Sequence, residues 1–341
     1  MKKKQTKIFL FAVLAVSVAR LFVSPVTETV SAEKTQKEVI LGGQAIGVKL
    51  YTKGVHVLKV SDVETAEGLK KPAKDAGIKK GDYITHVDGT EISSYEQFSE
   101  QLQNKAKAKL TLIRDGKEHT KDIFPVKGKD GVFRAGIWVR DSAAGIGTVT
   151  FYDEEEKIFA ALGHGITDVD TKKMLLPGGG KAESVTVTSV VKGRSGEAGE
   201  INGDFSGNVL GTLYSNNETG TYFKYDETPI GKRVPVASHS EVEEGKAFIV
   251  STVNGEQPEF YEVEIEKVVR SSLFTTKGML IEIKDQKLLQ KTGGVVCGMS
   301  GSPILQNGRI VGAVTHVFVN DPTRGYGIFI ENMLAEAEKI K

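Results

Sequence analysis

Two Asn-Gly pairs, Asn254-Gly255 and Asn307-Gly308, lie between apolar runs and constrain this chain more than any other feature. Both central residues of a type I′ turn need positive φ, which Asn and Gly accept, and such turns join antiparallel strands. The surrounding runs are short and rich in β-formers: GIGTVTFYDEEEKIFAAL, ESVTVTSVV, AFIVSTVNGEQPEFYEVEIEKVV, GMLIEI and SPILQNGRIVGAVTHVFV. Several short strands over about 200 residues point to barrels or sandwiches. Residues 132–341 are therefore expected to be mainly β, closed by a helix in IENMLAEAEKIK.

The preceding stretch has a different rhythm. Strand-like runs begin at LGGQAIGVKL and continue at His56 to Val60; Ala73 to Ala76 reads as a short helix ended by Gly77, and Tyr83 to Val87 as a strand before the Asp88-Gly89 turn. Ser94 is a candidate N-cap for a helix with Tyr95, Phe98 and Leu102 on one face, and Asp115-Gly116 turns a hairpin. This is the pattern of a small α/β module.

The N-terminus is built for export. Lys2, Lys3, Lys4 and Lys7 precede the apolar run Ile8 to Ala19, and Val30-Ser31-Ala32 supplies small residues for cleavage. The run spans only about 18 Å against a hydrocarbon core of about 30 Å, so residues 1–32 read as a signal peptide, with an uncleaved anchor as the alternative. Either way the rest of the chain is expected to work outside the cytoplasm. Forty-five Lys+Arg against 44 Asp+Glu leave a net charge of +1, too little to attract nucleic acid. The single cysteine, Cys297, excludes an intrachain disulfide. No H-E-x-x-H motif, Cys/His cluster or complete phosphate loop occurs, so neither a metal nor a cofactor is expected.

Chemistry concentrates in GMSGSP, residues 298–303. A serine hydroxyl needs an adjacent base and donors aimed at the developing oxyanion. Gly298 and Gly301 free the backbone around Ser300, and the N–H groups of Gly298 and Ser300 are the candidate oxyanion hole. The order G-x-S-G differs from the G-x-S-x-G elbow, and a hairpin rather than a helix follows, as in chymotrypsin-like double barrels. Of six histidines, His164 lies at a strand end between Gly163 and Gly165 and is the candidate base; His239 reads as an exposed loop residue and His316 as a structural residue inside a strand. Carboxylates that could orient the base include Asp168, Asp170, Asp204, Asp226 and Asp285. Asp285 ends the strand of GMLIEIK and keeps the order His, Asp, Ser, whereas Asp168 reads as a turn cap.

Residues 40–127, with AGIKKGDYITHVDG, resemble a PDZ domain of the kind attached to bacterial proteases. The resemblance implies peptide addition at a sheet edge, with Gly42, Gly43, Gln44, Ala45, Ile46 and Gly47 as the loop that receives a terminal carboxylate. With GHGITD, GMSGSPI and VTHVFVNDPTRGYGIFIENML, the chain after residue 40 is similar to the stage IV sporulation protein B family of serine peptidases. That resemblance implies a chymotrypsin-like peptidase domain over 132–341 with a triad of His164, Asp285 and Ser300. It also implies action between the two forespore membranes, self-cleavage near the N-terminus, and cleavage of a membrane-anchored regulator that releases an intramembrane protease to activate a late mother-cell sigma factor. Partners would then be protein substrates, a peptide or C-terminal tail at the PDZ domain, and a membrane met through the N-terminal segment. Cys297, directly before Gly298, departs from the polar residue expected there. The competing reading is an inactive PDZ-barrel scaffold. A Ser-Lys peptidase would leave His164 without a role.

Overall fold

The computed structural model describes residues 37–270 and 276–340. The signal or anchor segment at 1–32 lies outside the described residues, and among those described no helix is long and apolar enough to cross a membrane.

Two barrels and an inserted module make up the described residues. Strand β1 (Glu38–Leu41) leads into β2 (Ala45–Val60), a single 16-residue strand. The module follows as α1 (Pro72–Asp75), β3 (Tyr83–Val87), α2 (Tyr95–Leu102), β4 (Ala108–Arg114) and β5 (Lys117–Ile123). The chain then returns along β6 (Ile137–Asp153), and β7 (Ile158–Ala161), β8 (Pro177–Val191), β9 (Glu200–Asn217), β10 (Gly220–Lys224) and β11 (Arg233–Pro235) follow. The second barrel comprises β12 (Gly245–Ser251), β13 (Glu259–Val268), β14 (Met279–Ile283), β15 (Pro303–Gln306), β16 (Arg309–Val317) and β17 (Arg324–Phe329), with α3 (Gln286–Thr292) before β15 and α4 (Ile330–Ala337) at the end.

Pairing closes both barrels. The first runs β6-β7-β10-β9-β8-β2 and returns to β6, because Thr148 pairs with Ala45 and Ala144 with Lys49. The second runs β12-β13-β14-β17-β16-β15 and closes where Phe248 meets Leu305. Alternation fills each interior: Ile46, Val48, Leu50, Phe159 and Phe223 in the first, Ile249, Val263, Ile281, Met299 and Val314 in the second. Each such side chain contributes about 2 kcal/mol by leaving water. Helix α4 seals the seam, placing Ile330, Met333 and Leu334 against Ile158, Tyr222 and Ile310.

The expected turns are present with one change. Asp88-Gly89, Asp115-Gly116 and Asn307-Gly308 all have positive φ at both residues and close two-residue connections. Asn254-Gly255 instead lies within a longer hairpin loop, because Gly255 exchanges two backbone hydrogen bonds with Val187 of the first barrel. Ser94 caps α2 as expected, its hydroxyl accepting from the Gln97 amide.

The boundary expected between residues 40–127 and 132–341 is not a point along the chain. Residues 38–52 belong to the first barrel: Ile46 lies between Gly147 on β6 and Ser184 on β8. Only the far half of β2 enters the module, where Val55 and Val57 join Ile84, Phe98, Leu110 and Leu112 in a separate core. Gly54 permits the crossing. Its φ is +73°, and a Cβ there would fall 2.1 Å from the Ile84 carbonyl oxygen. Strand β6 makes the same crossing in reverse, pairing Ile137–Arg140 with Val60–His56 before entering the barrel.

Candidate active site

Ser300 approaches the seam from the second barrel. The loop reaching it turns left-handed at Gly298 (φ +100°) and Gly301 (φ +95°). A Cβ on Gly301 would lie 2.1 Å from the Thr148 carbonyl oxygen and 2.4 Å from the Leu162 nitrogen, so the first barrel's backbone presses directly on this turn. Strand β6 clamps the loop: Thr148 Oγ1 donates to the Gly298 carbonyl (2.8 Å), the Thr148 amide to the Ser300 carbonyl (2.9 Å), and Thr150 Oγ1 to the Gly301 carbonyl (2.8 Å). The amides of Cys297, Met299, Gly301 and Ser302 donate to backbone carbonyls. Among the described residues those of Gly298 and Ser300 have no such acceptor, which leaves two donors for an oxyanion.

His164 comes from the first barrel. After β7 the backbone is left-handed at both Leu162 (φ +69°) and Gly163 (φ +66°), which turns the histidine toward the second barrel. Its Nδ1 sits 3.0 Å from the Gly165 carbonyl oxygen, which can only accept, so Nδ1 carries the proton and Nε2 keeps the lone pair. Burial pulls the imidazole below its ordinary pKa, against a smaller opposing effect of that carbonyl. His164 and Ser300 line one cavity of about 260 Å³ with Val48, Ala144, Ile146 and Gly298. In this arrangement the Ser300 hydroxyl donates to the Thr315 carbonyl at 2.8 Å.

Asp285 is not brought to His164. Its carboxylate N-caps α3, accepting from the Leu288 amide at 2.8 Å, and no hydrogen bond joins it to the imidazole. The register explains why: Leu280 pairs with Tyr326, Tyr326 pairs with His316, and His316 packs on His164. Asp285 lies five residues beyond Leu280, past the end of the strand at Ile283 and at the start of α3. Asp168 is the turn cap expected, accepting from the amides of Asp170 (3.0 Å) and Thr171 (2.7 Å) and pairing with Arg140.

His316, expected to be structural, lies with its ring centroid 4.8 Å from that of His164. Lost hydration, the adjacent His164 and Lys277 lower its pKa to about 4, so it stays neutral beside the candidate base. Nothing in the sequence marked it, because it meets His164 only through the pairing of distant strands. His239 is tied to Glu331 (2.7 Å) rather than free in a loop. Desolvation, then Glu200, raise the Cys297 pKa, which keeps the thiol protonated and weakens it as a rival nucleophile.

The segment Gly42–Gly47 is not placed to cradle a carboxylate. The Gly42 and Gly43 amides donate to Thr150 (3.1 Å) and Val149 (2.8 Å), Gln44 accepts from Val149, and Ala45, Ile46 and Gly47 are paired with β6. The open groove of the module lies elsewhere, between α2 and the start of β6, with a volume of about 830 Å³ and walls that include Tyr95, Phe98, Gly136, Ile137 and Val139. Gly136 has φ +71°.

The comparisons with known proteins fit both halves. The family described as SpoIVB peptidase S55 matches residues 131–334, and a PDZ domain family matches residues 42–123. A protein of Neisseria meningitidis serogroup A named as a zinc metalloprotease is 37% identical over 76 residues, which cover 21% of this chain and 17% of that protein. Among solved structures, the PDZ domain of the SdrC-like protein from Listeria monocytogenes is 28% identical, covering 26% of this chain and 87% of that one, with a TM-score of 0.22. The Rv3671c protease in its inactive form is 14% identical, covering 58% of this chain and 84% of that one, with a TM-score of 0.32.

Proposed function

The chain belongs to the SpoIVB peptidase S55 family, and from that premise we propose that this serine endopeptidase works through Ser300 as nucleophile and His164 as base. The observation that carries the reading is the shared cavity. Two barrels deliver to one cavity open to solvent a serine with two amides that lack a backbone acceptor among the described residues and a histidine whose Nε2 is the unprotonated nitrogen. In the reaction Ser300 Oγ leaves the Thr315 carbonyl, gives its proton to His164 Nε2 and attacks the scissile carbonyl carbon. The Gly298 and Ser300 amides hold the resulting oxyanion, and the imidazolium returns the proton to the departing amine. The Gly165 carbonyl does the orienting that a carboxylate does in a triad.

We further propose that the enzyme is exported by its N-terminal segment and acts between the forespore membranes. There it cuts itself near the N-terminus and cuts a membrane-anchored regulator, which releases the processing of a late sigma factor. The lysine cluster ahead of Ile8 to Ala19 supports export, and the family supports the sporulation role. A partner's extended tail would then be read at the α2–β6 groove rather than at Gly42–Gly47. The test is to incubate residues 33–341, wild type and Ser300→Ala, and identify new termini by mass spectrometry. New termini in the wild type alone are expected, with a loss of at least about 10³-fold in Ser300→Ala. Equal cleavage by a folded Ser300→Ala overturns the nucleophile assignment.

A further inference from the structure

The segment that follows His164 is fastened to the PDZ half of the molecule. It runs out from Gly165, whose carbonyl fixes the imidazole, through Ile166 and Thr167 on the cavity wall, to a turn at Asp168–Lys173. Asn216 pins its base, accepting from the Ile166 amide (2.7 Å) and donating to the Leu175 carbonyl (2.9 Å). The turn itself rests on the module. Lys80 Nζ donates to the Asp170 carbonyl (2.7 Å), His56 Nε2 lies 3.2 Å from Thr171 Oγ1, and the Tyr83 hydroxyl accepts from the Leu176 amide (3.1 Å).

At the centre is Arg140. Its guanidinium pairs with Asp168 and reaches Asp170 at 3.0 Å, so one planar group holds two carboxylates of the turn. Asp168 is only 1% exposed, and a buried carboxylate stripped of its cation is costly. Burial opposes its ionisation, yet the Thr171 bonds and Arg140 hold its pKa below the ordinary value. Arg140 also has a defined place on β6. The residues before it pair with the module's stretch of β2, and those after it, Ala143 to Ile146, line the catalytic cavity. The same strand thus places the arginine beside the module and, past a break in its pairing between Arg140 and Ser142, the cavity wall beside Ser300.

We propose that Arg140 is a positioning residue for the peptidase reaction, holding through Asp168 and Asp170 the segment that fixes His164. The proposal rests on the reading of His164 as the base. A merely structural ion pair would change stability without changing how the imidazole meets the serine hydroxyl. Positioning changes kcat, because a displacement of about 1 Å at a reacting group costs on the order of 10²-fold.

The experiment uses the exported chain, residues 33–341, and measures kcat, KM, the pH profile of kcat/KM and the rate of Ser300 labelling by a fluorophosphonate, with the melting temperature alongside. Arg140→Ala is expected to lower kcat and labelling about 100-fold with KM within threefold, and to move the acid limb of the profile. Asp168→Asn should do the same, and the double variant should be no worse than either alone, since the two act as one unit. Lys107→Ala, which breaks an exposed pair with Asp122 within the module and away from the α2–β6 groove, should leave all of these unchanged. Wild-type kcat and acid limb in folded Arg140→Ala, or in Arg140→Lys where the alanine variant does not fold, overturn the proposal. His164→Ala and Ser300→Ala run in parallel: turnover in these would instead overturn the catalytic reading, whatever Arg140 does.

Discussion

Ser300 and His164 face one cavity from opposite barrels, and they are held by unlike means. The serine loop is shaped from within, by glycines that only one backbone path can use, and clamped by three hydrogen bonds from Thr148 and Thr150. The histidine segment is shaped from without, by Arg140 on β6 and by His56 and Tyr83, far earlier in the chain. One half of the site is thus a local conformation and the other a tertiary contact. Substitutions should separate them accordingly.

The largest effect should come from Gly301→Ala. Its φ of +95° costs an alanine about 1–3 kcal/mol, and the new Cβ meets backbone atoms of the other barrel that cannot step aside. Loss of Ser300 labelling and a melting temperature lower by several degrees are expected. Gly308→Ala is the control: φ is +77° there too, but nothing lies within 4 Å, so only the backbone cost of about 1 kcal/mol remains. Equal outcomes for the two glycines would show that inter-barrel contact does not shape the serine loop.

Asp285 sharpens the comparison at an intermediate magnitude. Its carboxylate caps α3, and α3 leads through Gly293 directly to the serine loop. Asp285→Ala removes the cap, costing about 1 kcal/mol of stability and, through the loosened approach to Ser300, about tenfold or more in kcat. Asp285→Asn keeps a capping oxygen and should stay within tenfold of wild type. An orienting carboxylate would behave otherwise, losing on the order of 10⁴ in the asparagine variant as much as in the alanine. A 10⁴-fold loss in Asp285→Asn would therefore restore Asp285 as the group that orients His164, in an arrangement other than this one.

The contrast also explains what could be read from sequence. Ser300, its glycines and the β-hairpins were legible because each is encoded within a few residues: Asn307-Gly308 needs no distant partner to turn. His164 was legible for the same reason, as a strand end between glycines. Asp285 was not, since chain order and a family pattern carry no register, and the strand pairings that set His316 opposite Tyr326 and Tyr326 opposite Leu280, five residues short of Asp285, are long-range. The continuous path of β2 from barrel to module was hidden because LGGQAIGVKL followed by TKGVHVLKV reads equally as a hairpin at Gly54, and only the partners β6 and β8 keep it straight. Arg140 gave no signal at all, because an arginine in an alternating strand looks like any solvated residue until the turn it grips is placed.

The smallest expected effect is a shift in pH dependence, and it tests the histidine half alone. As the proposed base, His164 would have to be neutral to accept the serine proton, and burial holds its pKa below the ordinary 6.5. A histidine in water would already be mostly protonated just below that pH, whereas His164 still has its lone pair. The acid limb of kcat/KM should therefore lie below pH 6.5, with activity lost only as pH falls through the depressed value. The group packed on the ring, His316, stays neutral down to its own pKa of about 4, lowered by burial, by His164 and by Lys277. Replacing His316 by aspartate puts a negative charge there instead, which favours the protonated base and should move the limb upward. A wild-type limb at or above 6.5, or no movement in His316→Asp, would mean that the ring titrating in catalysis is not the buried one at the seam between the barrels.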